Sequence, residues 1–306
     1  MKINEILTPD ELALVTRRSD ARGAWMVFCQ WAIVIGIFVV AATWTNPLTL
    51  IVGTILLGGR HLGFGVLGHE CGHRTLFRSK WLNDFVGDWI VTPPRFGNNR
   101  AYMRGHLKHH RLAGTRDDPD LGNYRDYPIT TERLKRKLTR DFTGQTGWRE
   151  VKRIGLALAN LHKLPGESRN ALLKGVAMNL AGLLLLTAFG EGWLYLMWVA
   201  AFVFVQPAIS RIRQVAEHAA VPDLYDLDPR KNTRTIYARW PERLVFAPHR
   251  VNYHLEHHML ASVPAYRLKT LHEILAKKGY YDDVDFPVGY LDLLGRVTAP
   301  VETVPA

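Results

Sequence analysis

The sequence predicts an all-α integral membrane protein: four transmembrane helices in two hairpins, with a cytoplasmic helical cap. Three observations carry this. Residues 24–59 contain no Lys, Arg, Asp or Glu, and residues 175–210 contain only Glu191. Each block breaks near its middle, at "WTNP" (44–47) and at "GEGW" (190–193). Outside the blocks the chain is strongly charged and holds three dense groups of histidine, "HECGH" at 69–73, "HLKHH" at 106–110 and "HLEHH" at 254–258.

Half of each apolar block, about 18 residues, makes a helix of roughly 27 Å. That is close to the hydrocarbon thickness of about 30 Å. The spans are therefore expected at about 24–43, 48–66, 175–190 and 193–210. A soluble helix of this length would carry a charged face, and these carry none. Neither hairpin tip has Lys or Arg, whereas "TRRSDAR" (16–22) and the segment 111–174 are rich in both. The positive-inside rule then places residues 1–23, 67–174 and 211–306 in the cytoplasm. The expectation is one domain over residues 1–306, in a bacterial inner membrane, with both termini and all three histidine groups cytoplasmic.

Shorter elements follow in chain order. Thr8 as N-cap and Pro9 at the first helical position predict a short interfacial helix in "TPDELALVTRR". No cleavable secretory leader is expected before the first span. "WLNDFVGDWIVTPP" (81–94) is apolar but too short and too polar to span, so it is expected at the interface. Leu268, Leu271 and Leu275 at helical spacing predict a helix in "PAYRLKTLHEILAKKGYY" (264–281). "TAPVETVPA" at the C-terminus is expected to be a loose tail. Cys29 and Cys71 suggest no disulfide, since they face a membrane interior and a reducing compartment. Cys71 lies off the His69/His73 face and is assigned to packing.

The net charge of +11 and pI near 9.7 could point to nucleic acid. That reading fails, because the charge is spread along segments beside an anionic lipid surface. It could also steer an acidic redox partner.

The histidine groups carry the chemistry. Positions i, i+3 and i+4 share one helix face, so His-x-x-His-His can aim two or three imidazoles at a metal. One such group arises by chance; two of them plus a His-x-x-x-His in one chain do not. "HECGH" alone also fits a zinc protease motif, with Glu70 as general base. That reading leaves the other two groups unexplained, and no Asp in the chain precedes a Gly. A non-enzymatic metal carrier would place its histidines inside the spans, along a path.

With its three boxes wrapped around two apolar hairpins, the chain resembles the membrane fatty acid desaturases and their hydroxylase relatives. "RRSDARG" (17–23), "GTRDDPDLGNY" (114–124) and "VPAYRLKTLHEIL" (263–275) are similar to that family too. The resemblance implies two Fe ions held by His69, His73, His106, His109, His110, His254, His257 and His258. Imidazole suits iron, zinc and copper. Zinc takes about four ligands and has no redox activity, so this many histidines fit two metals better than one. The family chemistry uses O2 and two electrons to desaturate a fatty acyl or related lipid chain. A hydroxylase or ketolase acting on an alkane, lipid or carotenoid is the alternative on the same scaffold.

The resemblance also implies a ninth ligand, His218, in the Glu-His pair of "RQVAEHAAVPD". Gln214, one turn earlier, stands where animal acyl-CoA desaturases have an Asn holding a metal-bound water. Glu70, Asp117, Asp118, Asp120, Glu217 and Glu256 are candidates for fixing the ligating rings. His162 and His249 are expected in polar loops, and His272 in packing or a hydrogen bond. Arg60 and His61 are expected to snorkel toward the cytoplasmic interface. No cytochrome b5, iron–sulfur or rubredoxin motif is visible. A separate electron carrier, of ferredoxin, rubredoxin or cytochrome b5 type, and a reductase are therefore implied.

Overall fold

In a computed structural model, residues 3–298 are described, and their regular secondary structure is helical. Of the C-terminal segment only Thr298 is among them, so the expected tail lies outside the described residues. The one β contact among these residues is an isolated bridge between Ile129 and Thr298.

A short helix α1 (Pro9–Thr16) starts at the expected N-cap Thr8, with Glu11 completing a capping box. Four long apolar helices follow: α2 (Asp20–Thr43), α3 (Pro47–Gly72), α8 (Gly166–Ala188) and α9 (Gly192–His218), each apolar enough to cross a membrane. Between α3 and α8 lie α4 (Lys80–Val86), α5 (Asn99–Leu112), α6 (Thr131–Phe142) and α7 (Gln145–Ala159). After α9 come α10 (His254–Met259) and α11 (Ala265–Lys277).

Trp25, Phe28, Ile35 and Val39 of α2 and Leu180, Leu184 and Leu185 of α8 face outward. Apolar side chains on the outside fit lipid, not water. Trp81, Phe85 and Trp89 are also exposed.

The helices outrun the expected spans, and this positions the site. At 1.5 Å per residue, the 26 residues of α3 make about 39 Å. That exceeds a hydrocarbon core of about 30 Å, so part of the helix must project beyond it, and His69 lies in its last turn. α9 likewise continues past the expected end at 210 to His218. α8 starts at Gly166 rather than near 175, because its first turns are polar yet helical. α9 widens into a π turn over Ala201–Val205. Pro207 explains this: it lacks an N–H and its ring presses on the preceding turn.

Arg60 and His61 do not snorkel. Both are buried among helices. Arg60 Nη2 donates to the Leu244 carbonyl (2.6 Å) and Nη1 to Gln30 Oε1 (3.2 Å). Gly59 makes this possible, since a Cβ there would stand 2.5 Å from the Leu244 oxygen. His249 is not a free loop residue either; its Nε2 reaches the same Gln30 Oε1 at 3.0 Å. His61 packs on Trp198 with ring centroids 3.8 Å apart. A buried cation is tolerated here because carbonyl oxygens inside the protein replace water.

Candidate metal centre

The nine implied histidines come together in two groups. His69, His73, His106, His110 and His257 form one, and His109, His218, His254 and His258 the other. Within each group the candidate ligand atoms all lie within 4.8 Å of one another. The boxes do not map one to one onto the groups. His106 and His110, four residues apart on α5, enter the first group, while His109 between them enters the second. In the third box the partition reverses: His254 and His258 enter the second group, and His257 the first. On their shared face i+4 lies about 40° to one side of i and i+3 about 60° to the other, so the three rings can divide between two adjacent groups. The two groups are adjacent, with the His110 and His258 rings stacked at 4.5 Å.

The nitrogen spacing tests whether a metal fits. His106 Nε2 lies 2.8 Å from His69 Nε2, 3.0 Å from His73 Nε2 and 2.9 Å from His110 Nε2. One ring nitrogen carries either a single N–H or a single lone pair, so hydrogen bonding cannot account for three such neighbours. A common cation can. With a metal–nitrogen bond of about 2.1 Å, ligands at right angles lie about 3.0 Å apart. In the second group His218 Nε2 and His254 Nε2 are 3.1 Å apart, and His109 Nε2 and His258 Nε2 3.3 Å. The residues present therefore fit two metal ions. A set of five nitrogens also exceeds the four of a structural zinc site.

Burial holds five of these rings, His106, His110, His254, His257 and His258, in their ligating, neutral form. Burial first, then the neighbouring His73 and His109, push His110 down to about 3. His106, His254, His257 and His258 are likewise pushed below the usual imidazole range, by burial and then by adjacent histidines.

Carboxylates and carbonyls behind the rings fix which nitrogen faces inward. His109 Nδ1 donates to Asp118 at 2.8 Å, and His218 Nδ1 to the Asn232 carbonyl at 3.0 Å. Glu70 lies 3.2 Å from His69 Nδ1, and Glu217 3.4 Å from His254 Nδ1. Burial pushes the Asp118 carboxyl up. Hydrogen bonds from His109, Tyr124 and the Asp120 N–H outweigh that and hold it below the usual range.

The other candidates are placed differently. Asp120 is 3.9 Å from His109 Nδ1, beyond hydrogen-bond reach. Asp117 is exposed and its carboxylate is outside this network. Glu256 turns away from the ligands: its buried carboxylate accepts from Thr235, from His272 Nδ1 (2.6 Å) and from Tyr281 (2.6 Å). It fastens the third box to α11. Gln214 lines a cavity that also touches His69. His162 is exposed, on a turn away from both groups.

Two residues escaped the sequence reading. Tyr124 donates to Asp118 and stacks on His218 at 4.9 Å. It lies in the "GTRDDPDLGNY" stretch, so its nearness to Asp118 was a usable signal. Asn232 acts through its carbonyl, which leaves no trace in residue type.

A zinc protease arrangement does not fit. Glu70 accepts from Thr75 Oγ1 (2.8 Å) and the Ala265 N–H (2.9 Å) and is buried. A general base needs a free oxygen facing a water; here Oε2 takes both of those bonds and Oε1 faces His69 Nδ1 at 3.2 Å.

Comparison with known proteins agrees with this geometry. The family model for fatty acid desaturases matches residues 42–287. The chain belongs to the fatty acid desaturase family, and so is a membrane non-haem oxidoreductase. It is 26% identical to an sn-1 oleoyl-lipid 12-desaturase of Arthrospira platensis, over 89% of this chain and 82% of that protein. It is 25% identical to an sn-1 acyl-lipid omega-3 desaturase (ferredoxin) of Nostoc sp. (strain 36), over 66% of this chain and 60% of that one. A dihydrorhizobitoxine desaturase of Bradyrhizobium elkanii is 22% identical, over 84% of this chain and 75% of its own length.

Proposed function

We propose that the protein introduces a double bond into the acyl chain of a lipid, using O2 and a pair of irons held by the nine histidines. The observation that carries this is the division of those histidines into sets of five and four nitrogens. Bound iron would supply the O2 activation that an unactivated C–H bond requires. The balance is simple: two hydrogens leave the chain, two electrons and two protons come from a donor, and both oxygen atoms end as water.

The chain's own residues set the stage. Asp118, Glu70 and the Asn232 carbonyl accept from the Nδ1–H groups of His109, His69 and His218, so the Nε2 lone pairs of those three rings face inward. α3 and α9 carry His69 and His218 on rigid rods continuous with apolar spans. Tyr102 stacks on His106 at 5.3 Å and shields that ring from solvent. Acyl lipids as substrate are supported by the names of the relatives.

We read the four long helices as two hairpins, with the histidines and both termini on the cytoplasmic side of a bacterial inner membrane. The basic segments outside the spans support this. A separate electron carrier of ferredoxin type is supported by the donor named for the Nostoc relative.

Lipid mass profiling of cells expressing the gene tests the reaction. A product two mass units lighter, formed only with O2, is expected. A product sixteen units heavier without an alkene would replace the reading with a hydroxylase.

A further inference from the structure

The cavity beside His69, about 380 Å³, has two unlike walls. One is apolar and includes Leu62 and Val66 of α3. The other carries Arg95, Arg213, Gln214 and Tyr102. Glu150 and Arg153, from α7, complete the charged lining.

Two of the three arginines already have partners. Arg153 Nε donates to Glu150 at 2.9 Å, and Arg213 pairs with Glu217 at 2.7 Å. The Arg95 guanidinium has no hydrogen-bond or ion-pair partner among the described residues. It is seated against α3 at Gly65, where a Cβ would stand 2.0 Å from Nη1. Any side chain at that position would displace it. His69 follows Gly65 by four residues on the same helix, a rise of about 6 Å. An unpaired cation drawn into a cavity is costly. An anion arriving there offsets the cost and can accept two parallel N–H bonds from the guanidinium fork.

α7 exposes Trp148 and Leu156, which suits a helix lying in the headgroup layer. The same helix carries Arg153, 67% exposed, to the cavity lining.

We propose that this cavity binds the anionic end of an amphiphile, a carboxylate or a phosphate, with Arg95 as its principal partner and hydrocarbon along Leu62 and Val66. Identifying that amphiphile with the substrate rests on the desaturase reading; the preference for an anion does not.

The test uses the full-length, iron-loaded protein in nanodiscs. Displacement of radiolabelled oleate is measured with oleate, oleyl phosphate and oleyl alcohol, which share a chain and differ in head group. At least one anionic head should bind about tenfold or more tighter than the alcohol, the range of a charge-assisted contact. Oleate ahead of oleyl phosphate identifies a carboxylate ligand, and the reverse a phosphate head. Arg95→Gln should remove the discrimination, Arg95→Lys should keep part of it, and Arg125→Gln, a surface change, should keep all of it. Iron content, measured alongside, should be equal in all four proteins. Equal binding of the alcohol and both anions, or undiminished discrimination in Arg95→Gln, overturns the proposal. Discrimination that depends on Arg95 in a protein that desaturates nothing would overturn the desaturase reading instead and leave this one standing.

Discussion

The Nε2 atoms of His110 and His257 lie 2.9 Å apart, although 147 residues separate them in the chain. The second and third boxes thus interlock, each lending one imidazole to the group in which the other places two. Removing either box should therefore damage both metal sites.

His218 is the ligand that no box search selects. Its Nε2 faces His254, and its Nδ1 is held by a carbonyl. His218→Ala should lower product formation by at least about 10–100-fold, the loss typical of weaker perturbations behind a metal ligand, and bring iron from two per chain toward one, since the five-histidine group keeps all its ligands. His162→Ala, on an exposed turn, should stay near wild type. Both are read in membranes at equal expression, and wild-type iron in His218→Ala would remove it from the set.

Asp118 and Glu256 separate two kinds of buried carboxylate. Asp118→Asn loosens His109 and should weaken metal binding about 10–100-fold, visible as iron falling below the wild-type content at limiting supply. Glu256→Gln disturbs the tie to His272 and Tyr281 and should cost about 1–3 kcal/mol of stability. Its iron stoichiometry should hold. Thermal melts and metal analysis of the same samples distinguish the two, and identical behaviour would contradict the assignment.

These two residues also show how far the sequence could be read. The boxes, the spans and the N-cap at Thr8 were legible because periodicity and residue type alone determine them. The role of Glu256 was not, because its position between two ligands says nothing about which way its side chain turns. Nor was Arg60, whose partners are a backbone carbonyl on the short helix Trp240–Val245, far along the chain, and Gln30 on another helix. The overrun of α3 and α9 was missed for a related reason. Polarity marks where lipid ends, and a helix does not have to end there.

Topology has a direct check. Trp44 and Phe189, both strongly exposed at the two tips, are suitable for cysteine substitution. Gly192 is less so, since a Cβ there would meet Thr187 Oγ1 at 2.5 Å. Trp44→Cys and Phe189→Cys should label from outside sealed cells above the wild-type background. Gly122→Cys, with open space around it, should not. Labelling of Gly122→Cys would invert the arrangement.

The buried imidazoles set a pH dependence. Burial and neighbouring rings hold His106, His254, His257 and His258 below the usual range, with His110 at about 3. Unfolded, the same rings take up protons near about 6.5. Below that value the unfolded state binds more protons, so stability falls as pH falls, by up to about 1.4 kcal/mol per ring per unit. Metal-stripped protein in nanodiscs should melt at a lower temperature at pH 5.5 than at pH 7.5. An equal or higher melting temperature at pH 5.5 would contradict the neutral, buried state of these rings.

The central claim is a pair of irons held by interlocking histidine boxes, and metal analysis of the purified protein tests it most directly. The account predicts iron near two per chain, with little zinc. Zinc near one per chain without iron, or a single iron that does not rise on reconstitution, would contradict it.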